Sequence, residues 1–107
     1  MTWLKIDDRA FDDPKLVGLS DTAHLAVLRS WIYAAKHETD GYVPAAIVAA
    51  LTHGKRRFVD EILAGGLWQE NGAGFVIHNF TKYNPTRETL RAKRAADSER
   101  KRRGVRP

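Results

Sequence analysis

Two β-prone runs, Leu67-Trp68-Gln69-Glu70 and Phe75-Val76-Ile77-His78, flank Asn71-Gly72-Ala73-Gly74. An Asn-Gly turn between such runs is the strongest short-range signal for a β-hairpin, because both residues tolerate the positive φ that tight hairpin turns require. What precedes it reads mainly as helix. Ser20 to His37 is the clearest: Ser20 caps it, Asp21 suits its positive end, and Lys36 and His37 suit its negative end. Leu25, Leu28, Ile32 and Ala35 recur at helical spacing and form the expected core stripe, with Val27, Trp31 and Ala34 beside it. Thr39-Asp40-Gly41 is a turn, and Gly41-Tyr42-Val43 is a very short candidate strand. Pro44 then opens a second helix to about Leu51, with Ile47, Val48 and Leu51 inward. Thr52-His53-Gly54 breaks it.

A third helix is expected from about Lys55 to Ala64. Phe58, Val59, Ile62 and Leu63 form its apolar face, Lys55, Arg56, Arg57, Asp60 and Glu61 lie outside it, and Gly65-Gly66 supplies a left-handed cap. At the front, Trp3-Leu4-Lys5-Ile6 reads as a short strand. Asp12-Asp13-Pro14 starts a single helical turn through Leu16 and Val17, ending near Gly18. Strand, helix, short strand, helix, helix, hairpin is the order of a winged helix-turn-helix. The expected class is therefore α+β, mainly helical, with a winged-helix domain over 1–84 and a basic tail over 85–107. Trp31, Phe58, Ile62, Leu67 and Phe75 are the expected core.

At 107 residues the length suits one domain, and an apolar fraction of 43% supplies one modest core. With no cysteine, disulfides and cysteine-based zinc or redox chemistry are excluded, which suits a reducing, cytoplasmic setting. Met1 to Asp8 contains no long apolar run, so no signal peptide is expected, and no stretch approaches a membrane span.

Charge is placed unevenly. Residues 85–107 carry a net +6, and the preceding residues carry −1. A basic tail on a nearly neutral body points to a polyanion, with duplex DNA the expected partner. The tail begins at Asn84-Pro85. From Thr86 it reads as a helix running toward Arg103 or as a disordered segment, since only Leu90 and a few alanines are apolar, too little for a core face.

The expected DNA contacts fall in two groups. His53, Lys55, Arg56 and Arg57 stand at the start of the third helix, the part of a helix-turn-helix that enters the major groove, where arginine can bind guanine with two hydrogen bonds. The same spacing also pairs Arg56 with Asp60 and Arg57 with Glu61, four residues on. Arg87, Arg91, Lys93, Arg94, Arg100, Lys101, Arg102 and Arg103 of the tail would neutralise phosphates and release counterions, unless they form only a solvated helix face. Arg87 has the option of folding back onto the body. The wing tip has no base and a neighbouring Glu70, so a structural wing is expected.

Catalysis is not expected. His24, His37, His53 and His78 lack metal-ligand spacing, Ser20, Ser30 and Ser98 lack triad context, and the glycines form no phosphate loop. Asp7-Asp8 and Asp12-Asp13 read as solvated loop acids. No cofactor or metal is expected.

Several stretches carry a family resemblance. Trp3-Leu4-Lys5-Ile6-Asp7-Asp8 and Phe11-Asp12-Asp13-Pro14-Lys15-Leu16 resemble the opening of phage and plasmid replication-initiator domains, including phage replisome organisers and relatives of the DnaD primosome protein. Tyr33-Ala34-Ala35-Lys36-His37, Thr39-Asp40-Gly41-Tyr42-Val43-Pro44 and Gly65-Gly66-Leu67-Trp68 add to it. His78-Asn79-Phe80 and Tyr83-Asn84-Pro85-Thr86-Arg87 resemble the actinophage branch, where an Arg-rich tail follows. The resemblance implies a winged-helix fold and a role in replication initiation or a related phage process. Two alternatives stay open: a transcriptional or excision-type regulator, and an interaction module that self-associates or binds a replication or host protein, for instance through the edge of the N-terminal strand.

Overall fold

The computed structural model describes residues 3–6, 13–84 and 86–104. Asp7, Asp8 and Asp12, and Arg106 at the far end, lie outside them. The elements are α1 (Pro14–Val17), α2 (Asp21–His37), β1 (Tyr42–Pro44), α3 (Ala45–Leu51), α4 (Arg56–Ala64), β2 (Trp68–Asn71), β3 (Gly74–Ile77), α5 (Phe80–Tyr83) and α6 (Arg87–Gly104). The chain is α+β and mainly helical, with one three-stranded antiparallel sheet of order β1-β3-β2.

The hairpin forms one residue away from the expected bounds. Asn71 pairs with Gly74, so the loop is Gly72-Ala73, and Gly72 supplies the positive φ of 58°. Gly74 is glycine for a steric reason. A Cβ there would stand 2.5 Å from the Val43 carbonyl oxygen and 2.8 Å from the Tyr42 hydroxyl, so any side chain would push β1 off β3. β1 is an edge strand, which explains why it tolerates Pro44, a residue with no N–H to give a ladder. Pro44 ends the strand and serves as the N-cap residue of α3, rather than opening the helix itself.

The helix ends follow backbone rules. After α4, Gly65 stays right-handed and Gly66 takes the left-handed position, with Leu67 N–H donating to the Ile62 carbonyl. The same six-residue closure ends α3 with His53 in the left-handed position, and ends α2 with Glu38 there.

Trp3–Ile6 is not a strand. The Asn84 carboxamide occupies the place of a strand partner: the Lys5 N–H donates to Asn84 Oδ1 at 2.8 Å, and Asn84 Nδ2 donates to the Lys5 carbonyl at 3.3 Å. One side chain satisfies both backbone groups of Lys5, so the segment is tied to the body without joining the sheet. Trp3 and Ile6 remain exposed, and Leu4 packs against the core.

The buried side of α2 differs from the expected stripe. Ala23, Ala26, Val27, Ser30, Ala34 and Ala35 face inward, while Leu25 and Ile32 are 46% and 50% exposed. Small residues let α3 and α4 approach the helix closely, and that approach sets the buried side. Of the expected core, Ile62, Leu67 and Phe75 are buried, whereas Trp31 and Phe58 are half-buried and pack on its edge. The central aromatic is Trp68, 2% exposed, tilted against Phe75 with ring centroids 5.7 Å apart. Its Nε1 donates to Ser30 Oγ at 3.1 Å, and Ser30 Oγ donates to the Val27 carbonyl at 2.6 Å. This chain of bonds satisfies both polar groups inside the core.

Candidate nucleic-acid interface

His53, Lys55, Arg56 and Arg57 are all exposed around the turn from α3 into α4, as the spacing of polar and apolar residues requires. Their electrostatics are less positive than three bases suggest. Arg56 Nε donates to Asp60 Oδ1 at 2.8 Å, and Arg56 Nη2 reaches Glu70 Oε1 on β2 at 3.2 Å. The hydrogen bonds that Arg56 donates to Asp60 and then Glu70 raise its pKa. Arg56 thus bridges α4 to the hairpin, and two carboxylates stand where a phosphate would approach it.

The expected Arg57–Glu61 pair does not form. The Arg57 guanidinium lies 4.8 Å from the Phe58 ring centroid instead. Glu61 turns to the start of α2, where its carboxylate accepts from the Ser20 N–H and, at 2.8 Å, from the Ser20 hydroxyl. A carboxylate at a helix N-terminus is favoured by the exposed N–H groups and the dipole. Glu61 therefore fastens α4 to α2. The pairing links residues 41 apart and has no local pattern to announce it.

The tail forms one helix, α6, which starts with two caps. Thr86 Oγ1 accepts from the Thr89 N–H at 3.1 Å, and Asp40 Oδ1 accepts from the Arg87 N–H at 2.7 Å. Two turns on, the Arg94 guanidinium grips the Glu38 carboxylate with both Nη atoms, one of them at 3.1 Å. Such a fork is the strongest geometry open to an exposed arginine. Hydrogen bonding from Arg94 lowers the Glu38 pKa against its partial burial, and the charges of Arg94, Arg87 and Arg91 lower it further. The same bonds raise the Arg94 pKa. Glu38 and Asp40 both sit at positive φ, 53° and 56°, in the turn after α2, and this turn is the dock for the tail. Leu90 is half-buried there, beside a hollow also lined by Trp3, Ala35, Phe80 and Asn84.

Arg94 is therefore engaged with the body, contrary to the expectation that all basic head groups of the tail stand ready for an anion. Of Arg87, the backbone is fixed and the side chain exposed. Arg91, Lys93, Arg100 and Lys101 are exposed, and Arg100 pairs with Asp97 within the helix. Arg102 and Arg103 belong to the last turn of α6, and their side chains lie outside the described residues. An 18-residue helix spans about 27 Å. It draws the molecule out to 61 × 30 × 18 Å, with a radius of gyration of 16.7 Å against about 13 Å for a compact chain of about 100 residues.

A pH signature follows. Because folding lowers the Glu38 pKa below its ordinary 4.5, the clamp stabilises the docked tail above that pH and is lost as pH falls through the lowered value. The Glu38 carboxyl, followed by NMR, should titrate below 4.5, and Arg94→Ala should move its midpoint upward. A parent midpoint at the ordinary value would mean that the tail is undocked in solution.

Among the described residues no three His, Asp or Glu side chains gather into a metal-binding group, and no helix is long and apolar enough to cross a membrane. No protein-family model, no curated protein and no solved structure matches this chain.

Proposed function

We propose that the chain is a winged-helix DNA-binding protein whose tail helix supplies most of the affinity, and that it serves phage-type replication initiation or an accessory step of it. The observation that carries the DNA reading is α6: a largely exposed helix within the segment that holds the entire positive excess, anchored to the body through Arg87 and Arg94. Anchoring matters physically. A helix held at one end presents its bases as a row with little ordering entropy left to lose on meeting a phosphate backbone. The element order and the β1-β3-β2 sheet support the winged-helix assignment, with β2 and β3 as the wing. The replication role rests on the sequence resemblance described above.

The neutralised face of α4 favours modest sequence readout, with Arg57 and Lys55 ahead of Arg56. The test is fluorescence anisotropy on random duplex and on a selected site, at about 50 and 200 mM salt. Binding to random duplex should fall steeply with salt. Arg57→Ala should lose about 1–3 kcal/mol on the selected site alone if Arg57 grips a guanine, and Arg56→Ala should lose less, since Asp60 and Glu70 already hold that side chain. Equal losses on both duplexes would make Arg57 a phosphate contact. Absence of duplex binding at low salt would remove the DNA reading and leave the interaction module, which the neutral α4 face and the exposed Leu25 and Ile32 favour.

A further inference from the structure

The outer face of α2 carries a pattern that the fold does not use. Leu25 and Ile32 are about half exposed, Leu28 lies half-buried between them, and Asp21, Arg29 and Lys36 are exposed on the same side. Asp21, Leu25, Leu28, Ile32 and Lys36 follow one another at three- and four-residue steps, with Arg29 four residues from Leu25 and three from Ile32, and so form a single stripe along the helix. No ion pair of a described residue engages Asp21 or Lys36.

The stripe is symmetric about a point between Leu28 and Arg29. Leu25 and Ile32 stand equally far from that point, as do Asp21 and Lys36 at the two ends of the helix. A stripe with this symmetry is its own complement when a second copy lies antiparallel on it. Leu25 then meets Ile32 of the second copy, Asp21 meets Lys36, and Leu28 lies under the aliphatic stem of Arg29, with each contact made twice. This is the self-complementary pattern of a two-fold interface. The charges choose the direction: a parallel pairing in register would set Asp21 against Asp21 and Lys36 against Lys36.

We propose that the outer face of α2 is a docking surface for a second copy of this chain, paired antiparallel through Leu25, Leu28 and Ile32 and held in register by Asp21 and Lys36. One helix pair of 17 residues a side buries less than the roughly 1,200–2,000 Å² of a standard stable complex, so association falls in the micromolar range rather than below it. The tail docks on Glu38 and Asp40, just past the C-terminal end of α2. Antiparallel pairing therefore places the two tails at opposite ends of the helix pair. The pairing does not depend on DNA binding, and its test uses none.

Sedimentation of the full chain from micromolar to near-millimolar concentration should show the mass rising from 12.1 kDa toward twice that value. Leu25→Glu and Ile32→Glu should each remove the rise while leaving the helical circular dichroism and melting unchanged, since both side chains are half exposed. Direction is read by crosslinking, because the chain has no cysteine of its own. A mixture of Leu25→Cys and Ile32→Cys chains should form a disulfide-linked pair at least tenfold faster than either variant alone. A single 12.1 kDa species throughout, or a dimer that survives both glutamate substitutions, overturns the proposal. Leu25→Cys crosslinking to itself as fast as in the mixture overturns the antiparallel pairing.

Discussion

Deleting residues 87–107 should lower affinity for every duplex by roughly a thousandfold at about 0.1 M salt, and flatten the plot of log K against log salt by roughly 3–4 units. The estimate comes from counterion release. Each phosphate neutralised contributes about 0.9 to the slope, and about four contacts are available once Arg94 is discounted as the partner of Glu38. The loss should be equal on random and selected DNA, because phosphate contacts carry no sequence information. The body should stay folded. It gives up the partners of Glu38 and Asp40 and the cover of half-buried Leu90, and in a domain of this size each kcal/mol lost lowers the midpoint by about 4–8 °C. Intact affinity and slope, with a sharply lowered melting temperature, would make α6 a packing element and not a DNA contact.

Trp68→Ala should have the largest effect on stability, about 3–5 kcal/mol. A small domain has only about 5–15 kcal/mol in hand, so the variant should be marginal or unfolded at room temperature. Trp68 joins the hairpin to α2, with its ring against Phe75 and its Nε1 on Ser30. Ser30→Ala should cost about 1–3 kcal/mol, because a buried N–H loses its acceptor. Trp68→Phe removes the donor, so adding Ser30→Ala to it should cost much less than Ser30→Ala alone. Urea denaturation of the four proteins in this cycle measures the coupling. Additive losses would mean that the Trp68–Ser30 bond does not form. By contrast, half-buried Trp31 should tolerate truncation better than Trp68.

Local chemistry was enough to locate most elements. Ser20 accepting from Ala23 N–H, Pro14 in the first turn of α1, the glycine pair after α4 and the hairpin glycines each act within a few residues, so their signals stand in the sequence. The same holds for Arg56–Asp60 and for the exposure of Arg57, because helical spacing alone separates those side chains from Val59 and Ile62, and for His53 and Lys55, which lie in the polar turn before α4.

Long-range partners were decided by the tertiary structure. Helical periodicity says that α2 has apolar positions around much of its surface, but only packing against α3, α4 and β1 selects the alanine, serine and valine side as the buried one and leaves Leu25 and Ile32 outside. The Trp3–Ile6 run has strand composition, yet whether it pairs depends on what lies beside it, and there it meets the Asn84 side chain rather than a strand. Glu61 has a local option in Arg57, but the start of α2, 41 residues away, supplies two donors where Arg57 supplies a solvated surface pair. The positive excess of the tail is visible in composition. Its docking on Glu38 and Asp40 is not, because that requires the turn after α2 to bring two carboxylates to the first turns of α6, and turn geometry places charges without leaving a mark in sequence spacing.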